Sequence, residues 1–299
     1  MVDTVRSIHF RAASTVDPAW SPKLFHGPYD LKALSNSLML DGASLPPGLS
    51  FDDHLLILFD QLSTINTLLC SLGPLTSSAS SIRQMAASRT AKVAEVSKPS
   101  TSAPSNRDYN NIRNKLVQAL CIWEDSFRAS GQCNQTGTQT DFHAIFTLLY
   151  FAKLLLEAGP GIYIIPSLAG YVSEPLESLP PTVPRPYAPH AIGFRISDKV
   201  VQYAVGILES AERRQSLLTT SGGISRSAEL APVWYPIALL YGALAIWSRR
   251  EYDREGGPHS NILIPADRLL QSFHVALKMV ESTWDCAGHM ASIIEQLMD

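Results

Sequence analysis

Residues 231–247 constrain the fold more than any other stretch, because they place Trp234, Tyr235, Tyr241 and Trp247 in a run of Ala, Ile and Leu with no charge. Ile237, Leu240, Tyr241, Leu244 and Trp247 recur at the three-to-four spacing of one helix face, and the small residues between them let a neighbouring helix approach closely. Pro236 suits the first turn, where its missing N–H is one of the groups that have no intrahelical partner anyway. A helix of this make-up needs other helices around it. The stretch therefore argues for the interior of a helical domain rather than for a reacting centre.

The same periodicity recurs along the chain. Leu31, Leu34 and Leu38 mark a short helix over 31–40. Ser50 with Asp53 forms a Ser-x-x-Asp capping signature, opening a helix whose face is Phe51, Leu55, Leu58, Phe59, Leu62, Ile65, Leu69 and Leu72, with Gly73-Pro74 as its stop. Residues 75–106 are rich in Ser, Ala and Thr and hold too little apolar surface to offset ordering entropy, so a flexible loop is expected there. Ser105 with Asp108 caps a helix striped by Tyr109, Ile112, Leu116, Leu120, Trp123 and Phe127 and ending near Gly131. The helix expected to start at Asp141 and run to Ala158 is apolar on nearly every side, which predicts a central position.

Six prolines between 170 and 193 exclude regular helix and favour an extended connection. Ser197 starts the next helix, with Val200, Val201, Ala204, Ile207, Leu208 and Ala211 on its face, and a Ser/Gly-rich loop over 221–227 follows it. Gly256-Gly257-Pro258 closes the helix of the opening stretch. Pro265 precedes Leu269, Leu270, Phe273, Leu277 and Val280, and a last segment carries Met290, Ile293, Ile294 and Leu297. No segment alternates as a strand would, and the helices are too unequal for a tandem solenoid. The expectation is a single all-α domain over 1–299, irregular, with long polar and Pro-rich loops.

Composition narrows the function classes. With 45% hydrophobic residues in 299 there is ample core. A net charge of -3 from 24 Lys+Arg and 27 Asp+Glu gives no electrostatic footprint for nucleic acid or an anionic membrane. Cys70, Cys121, Cys133 and Cys286 lack paired spacing, so no structural disulfide is expected and reduced intracellular thiols fit better. The first residues lack the charged-then-apolar run of a secretory signal. The most apolar helix, 142–158, falls short of the ~20 residues of a membrane span and carries His143, Lys153 and Glu157.

Few residues form anything like a catalytic signature. Asp52-Asp53 on a helix resembles the metal-binding carboxylates of terpene synthases, but Leu56 stands where the third acid belongs, and acids in a first turn are favoured by the helix dipole. Cys286 and His289 have Cys-x-x-His spacing, half of a zinc site without a second pair. Asp52 with His54, and Asp141 with His143, would orient a histidine for proton transfer, yet no nucleophile accompanies them. Pro181 and Pro184 make a Pro-x-x-Pro match inside a proline-rich loop. Trp123, Trp234, Tyr235 and Trp247 are candidates for an effector pocket, though aromatics at helical spacing are chiefly core. No catalytic, cofactor-binding or metal residue is assigned, and the chain is not expected to be an enzyme.

Trp20 with the 31–40 helix, the 50–72 helix, the Leu120-Cys-Ile-Trp-Glu-Asp-Ser-Phe127 segment, Phe146-Thr-Leu-Leu-Tyr150 and the 232–247 helix follow one another in an order that resembles the fungal-specific transcription factor regulatory region, or middle homology region, most of all its C-terminal part. The resemblance implies an all-helical domain without catalytic residues that modulates activation, dimerisation or effector response. It implies regulation of RNA polymerase II transcription in the nucleus, with protein partners in the transcription machinery or a homodimer partner and no membrane. That family reads DNA through a zinc-binding, cysteine-rich module, and the four cysteines here are unclustered. Zinc and DNA contact are accordingly expected only through a module outside this chain or through a partner. If helices stand upstream of Met1 in the intact product, their loss would expose apolar surface and cause oligomerisation or poor solubility. A terpene synthase-like metal-dependent enzyme and a non-catalytic helical scaffold are the two alternatives.

Overall fold

Several helices begin where a side chain meets the unpaired N–H groups of a first turn. In the computed structural model, which describes residues 30–71, 106–130, 139–163, 196–220, 231–254 and 264–298, the Asp30 carboxylate accepts from the backbone N–H groups of Lys32 at 3.0 Å and Ala33 at 3.2 Å and so starts α1, Leu31–Asp41. Gly42, at φ 62°, ends it in the left-handed conformation that a Cβ disfavours. Helix α2, Phe51–Ser71, carries the expected capping box: the Asp53 N–H donates to Ser50 Oγ at 3.1 Å, while the Ser50 N–H donates back to the Asp53 carboxylate at 2.9 Å.

Helix α3 is Asn106–Ala129 and α4 is Gln139–Ala158, the latter continued by a 3-10 turn over Gly159–Tyr163. Helix α5, Asp198–Thr220, takes its cap from Ser197, whose Oγ accepts from the Val200 N–H at 3.3 Å. Helix α6 is Tyr235–Arg254, entered through a turn in which the Tyr235 N–H donates to the Pro232 carbonyl at 2.9 Å. Helices α7, Ala266–Val280, and α8, Asp285–Met298, form a hairpin closed by N–H donation from Thr283 and Trp284 to the Val280 carbonyl. All regular structure among the described residues is helical, so the chain is an all-α protein.

Helix α4 is the hub. It packs along α5 over the most extensive contact in the molecule and also meets α2, α3 and α6. Residues 144–149 are all buried, so no face of the helix there is left to water. Helix α6 is the second centre, flanked by α4, α5, α7 and α8. Its residues 235–248 are buried without a break, which goes beyond the single inward face that the spacing of Ile237, Leu240, Tyr241, Leu244 and Trp247 predicts. The small residues expected to admit a close neighbour do so: a Cβ on Gly242 would stand 2.8 Å from the Phe273 ring of α7. Helices α1, α2 and α3 pack on one another, and α2 and α3 lie against α4.

Every residue read into the faces of α5, α7 and α8 is buried, joined by Ser210 and Arg214 on α5 and by Ala287 and Ala291 on α8. Two others need correction. On α2 the inward line runs through His54, Ile57, Leu58, Gln61, Ile65 and Leu69, while Phe51, Leu55, Phe59 and Leu62 are only half-buried. The His54 ring enters against the Phe127 and Trp123 rings of α3, and Gln61 enters with a polar partner on α1. The Gln61 amide donates to Ser35 Oγ at 2.6 Å, and Ser35 in turn donates to Asp60, joining α1 to α2. On α3, Ile112 is exposed rather than part of the stripe. Arg113 turns inward there instead, donating to the Leu156 carbonyl at 3.2 Å and to Glu157 at 2.6 Å.

One boundary also differs from expectation: α4 begins at Gln139 rather than Asp141, whereas α6 ends at Arg254, just short of the stop read at Gly256-Gly257-Pro258. With the 3-10 turn added, Phe142–Ile162 spans 21 residues, long and apolar enough by composition to cross a membrane, but it is mostly buried among the other helices. The 75–106 loop apart from Asn106, the Gly73-Pro74 and Gly131 stops, Ser105 with the Asp108 side chain, the 170–193 connection, the 221–227 loop, Gly256-Gly257-Pro258 and Trp20 lie outside the described residues.

Candidate functional site

The residues that come nearest to a catalytic signature sit at the start of α2. Asp52 is exposed, and Asp53 is committed to the capping box with Ser50. His54 points into the protein and is 1% exposed. Its ring meets Phe127 edge-on at 5.2 Å between centroids and Trp123 at 5.9 Å. Its backbone carbonyl accepts the Trp123 indole N–H at 2.9 Å. Burial lowers the His54 pKa to about 4, with the Asp53 charge opposing, so the ring is neutral at ordinary pH. The two aspartates and the histidine thus point to three different surroundings, and the geometry unites them for no proton transfer.

The environment of His54 is an aromatic cluster centred on Phe127. Trp123 and Phe142 stack on that ring at 5.0 and 5.4 Å, Phe51 meets it edge-on at 6.0 Å, and Phe146 lies tilted at 5.9 Å. The guanidinium of Arg128 covers the outer side of Phe146 at 4.3 Å from its centroid. Three helices, α2, α3 and α4, are joined by these rings.

His143, on α4, is half-buried, and its pKa is lowered by burial and by the charge of Arg213. The Asp141 side chain lies outside the described residues, as do Pro181, Pro184 and Cys133. Cys286 and His289 are both exposed at the start of α8. Partial burial raises the Cys286 thiol, a backbone hydrogen bond opposes that, and Asp285 adds to the rise. Cys70, Cys121 and Cys286 are free thiols. Among the described residues no three His, Cys, Asp or Glu side chains come close enough together to hold a metal ion.

The four aromatics weighed as a pocket lining are spread through the interior. Trp123 is fully buried, and Tyr235 and Trp247 are 3% exposed. Burial raises the Tyr235 pKa against the opposing effect of Arg214, whose guanidinium sits over its ring at 5.6 Å. Trp234 is half-buried, donates to the Ala144 carbonyl of α4 at 3.2 Å and meets Phe59 of α2 edge-on at 5.3 Å. It pins the entry of α6 to two other helices.

Apolar spacing does not reveal which charged side chains tie the helices together. Glu124 of α3 receives Lys153 of α4 as well as Arg128. Burial alone would raise the Glu124 carboxyl, but the hydrogen bonds from Lys153 and Arg128 and their charges hold it below its ordinary value. Arg249 of α6 donates to the Ile196 carbonyl at 2.9 Å and pairs with Asp198 at 3.5 Å, bracing the start of α5. Arg250, 7% exposed, reaches Asp267 of α7 at 2.8 Å and the Leu297 carbonyl of α8 at 2.5 Å. A signal was present in the adjacent Arg249 and Arg250, two cations directly after an uncharged run. Nothing local says which acids and carbonyls they meet.

No protein-family model, curated protein or solved structure matches this chain.

Proposed function

We propose that this chain is the regulatory and protein-interaction part of a fungal-type transcription factor, modulating RNA polymerase II transcription in the nucleus. It acts through protein partners or a second copy of itself. DNA and zinc belong to a module outside this chain or to a partner, and no catalytic step is assigned to its residues. The observation that carries the reading is where the segments bearing the resemblance lie. Phe127 of the 120–127 segment packs on Phe146 of the 146–150 segment, and Trp234 of the 232–247 segment bonds to Ala144, two residues before Phe146. Segments similar in order to those of the regulatory region thus form one continuous interior. Support comes also from Asp53 and His54, which serve helix capping and core packing where an enzyme reading would need them at a reacting centre.

The test is to tether the full chain to a heterologous DNA-binding domain upstream of a reporter. A several-fold change in transcription, in either direction, is expected. No change, with the fusion demonstrably in the nucleus, would favour a non-catalytic scaffold. A melting temperature that climbs with magnesium plus a diphosphate would instead favour the metal-dependent enzyme, because a ligand that binds only the native state stabilises it by mass action. No such shift is expected.

A further inference from the structure

We draw no further inference here: the strongest candidate, the cluster of Arg213 and Arg214 beside His143 at the end of the bundle where α4 and α6 begin and α5 ends, has Arg213 paired with Glu209 and Arg214 set over Tyr235, and so rests on helix N-termini with no second observation that points to a ligand.

Discussion

The seam between α2, α3 and α4 and the seam between α6 and α7 solve the same packing problem in opposite ways. The first is filled by large rings from every participating helix, with Phe127 touching Phe51, His54, Trp123, Phe142 and Phe146. The second is filled by removing side chain: Gly242 leaves room for Phe273 to lie against the α6 backbone. Interiors are packed at near-crystalline density, so either solution works only if the volumes on the two sides match. A ring seam is vulnerable to loss of volume and a glycine seam to its gain, and the two seams should respond oppositely to substitution.

The largest effect is expected from emptying the ring seam. Phe127→Ala deletes the central ring and leaves a cavity that neighbours on three helices fill only in part, for a loss of about 4 kcal/mol in chemical denaturation. A loss below about 1 kcal/mol would mean that the surrounding rings collapse onto one another, and the contrast between the seams would fail.

Second is acidification, which acts on His54, a titratable ring buried in that seam. His54 has a folded pKa of about 4, below its unfolded value of 6.5. Above 6.5 both states are neutral and the group contributes no pH dependence. As pH falls from 6.5 towards 4, the unfolded state takes up a proton that the native state refuses, and stability drops by up to roughly 1.4 kcal/mol per pH unit, about 3 kcal/mol in all. His143 adds in the same direction. His54→Leu should therefore flatten, without abolishing, the fall in stability between pH 6.5 and 4. Superimposable profiles for the variant and the parent would show that His54 is not held neutral by this seam.

Filling the glycine seam should cost less. Gly242→Ala puts a methyl 2.8 Å from the buried Phe273 ring, an overpacking cost of 1–3 kcal/mol on the general scale, offset by ~1 kcal/mol of better helix propensity. A net loss of about 1 kcal/mol is expected, read as a lowered melting temperature, and a larger residue at the same place should cost more. The smallest effect has the opposite sign. In Gly288→Ala the atoms nearest the new methyl belong to the Glu281 side chain, which is half exposed, held by one surface ion pair to Lys278 at 3.2 Å, and able to swing away. Helix propensity then dominates and α8 gains roughly 0.5 kcal/mol. If both glycine variants shifted stability alike, propensity and not close approach would govern this end of the molecule.

How much of this was legible in the sequence depends on how far apart the interacting residues lie. Ser50 and Asp53 are three residues apart and cap α2 as read. The buried faces of α5, α7 and α8 follow apolar spacing within one helix, and the spacing held. The inward line of α2 did not follow it, because His54 and Gln61 are polar and their places in the core are set by residues elsewhere in the chain, the Phe127 and Trp123 rings against His54 and Ser35 against the Gln61 amide. Ile112 was displaced from its stripe by Arg113, which is drawn inward by Leu156 and Glu157 of another helix. The same division holds for the candidate site. Asp53 could be read as a cap from its neighbours, whereas the neutral, buried state of His54 needed the rings of α3.

By itself the sequence determined that this protein is all-helical, where most of its helices lie and which sides of α5, α7 and α8 are apolar, because backbone hydrogen bonding and amphipathic period are decided within a few residues. Only the tertiary structure decided that α6 is enclosed on nearly all sides, that a histidine and a glutamine belong to the core, and that Arg250 reaches a carbonyl 47 residues away. Burying a polar group is costly unless a partner receives it, and the partner's position is fixed by the packing of whole helices rather than by anything written beside the residue.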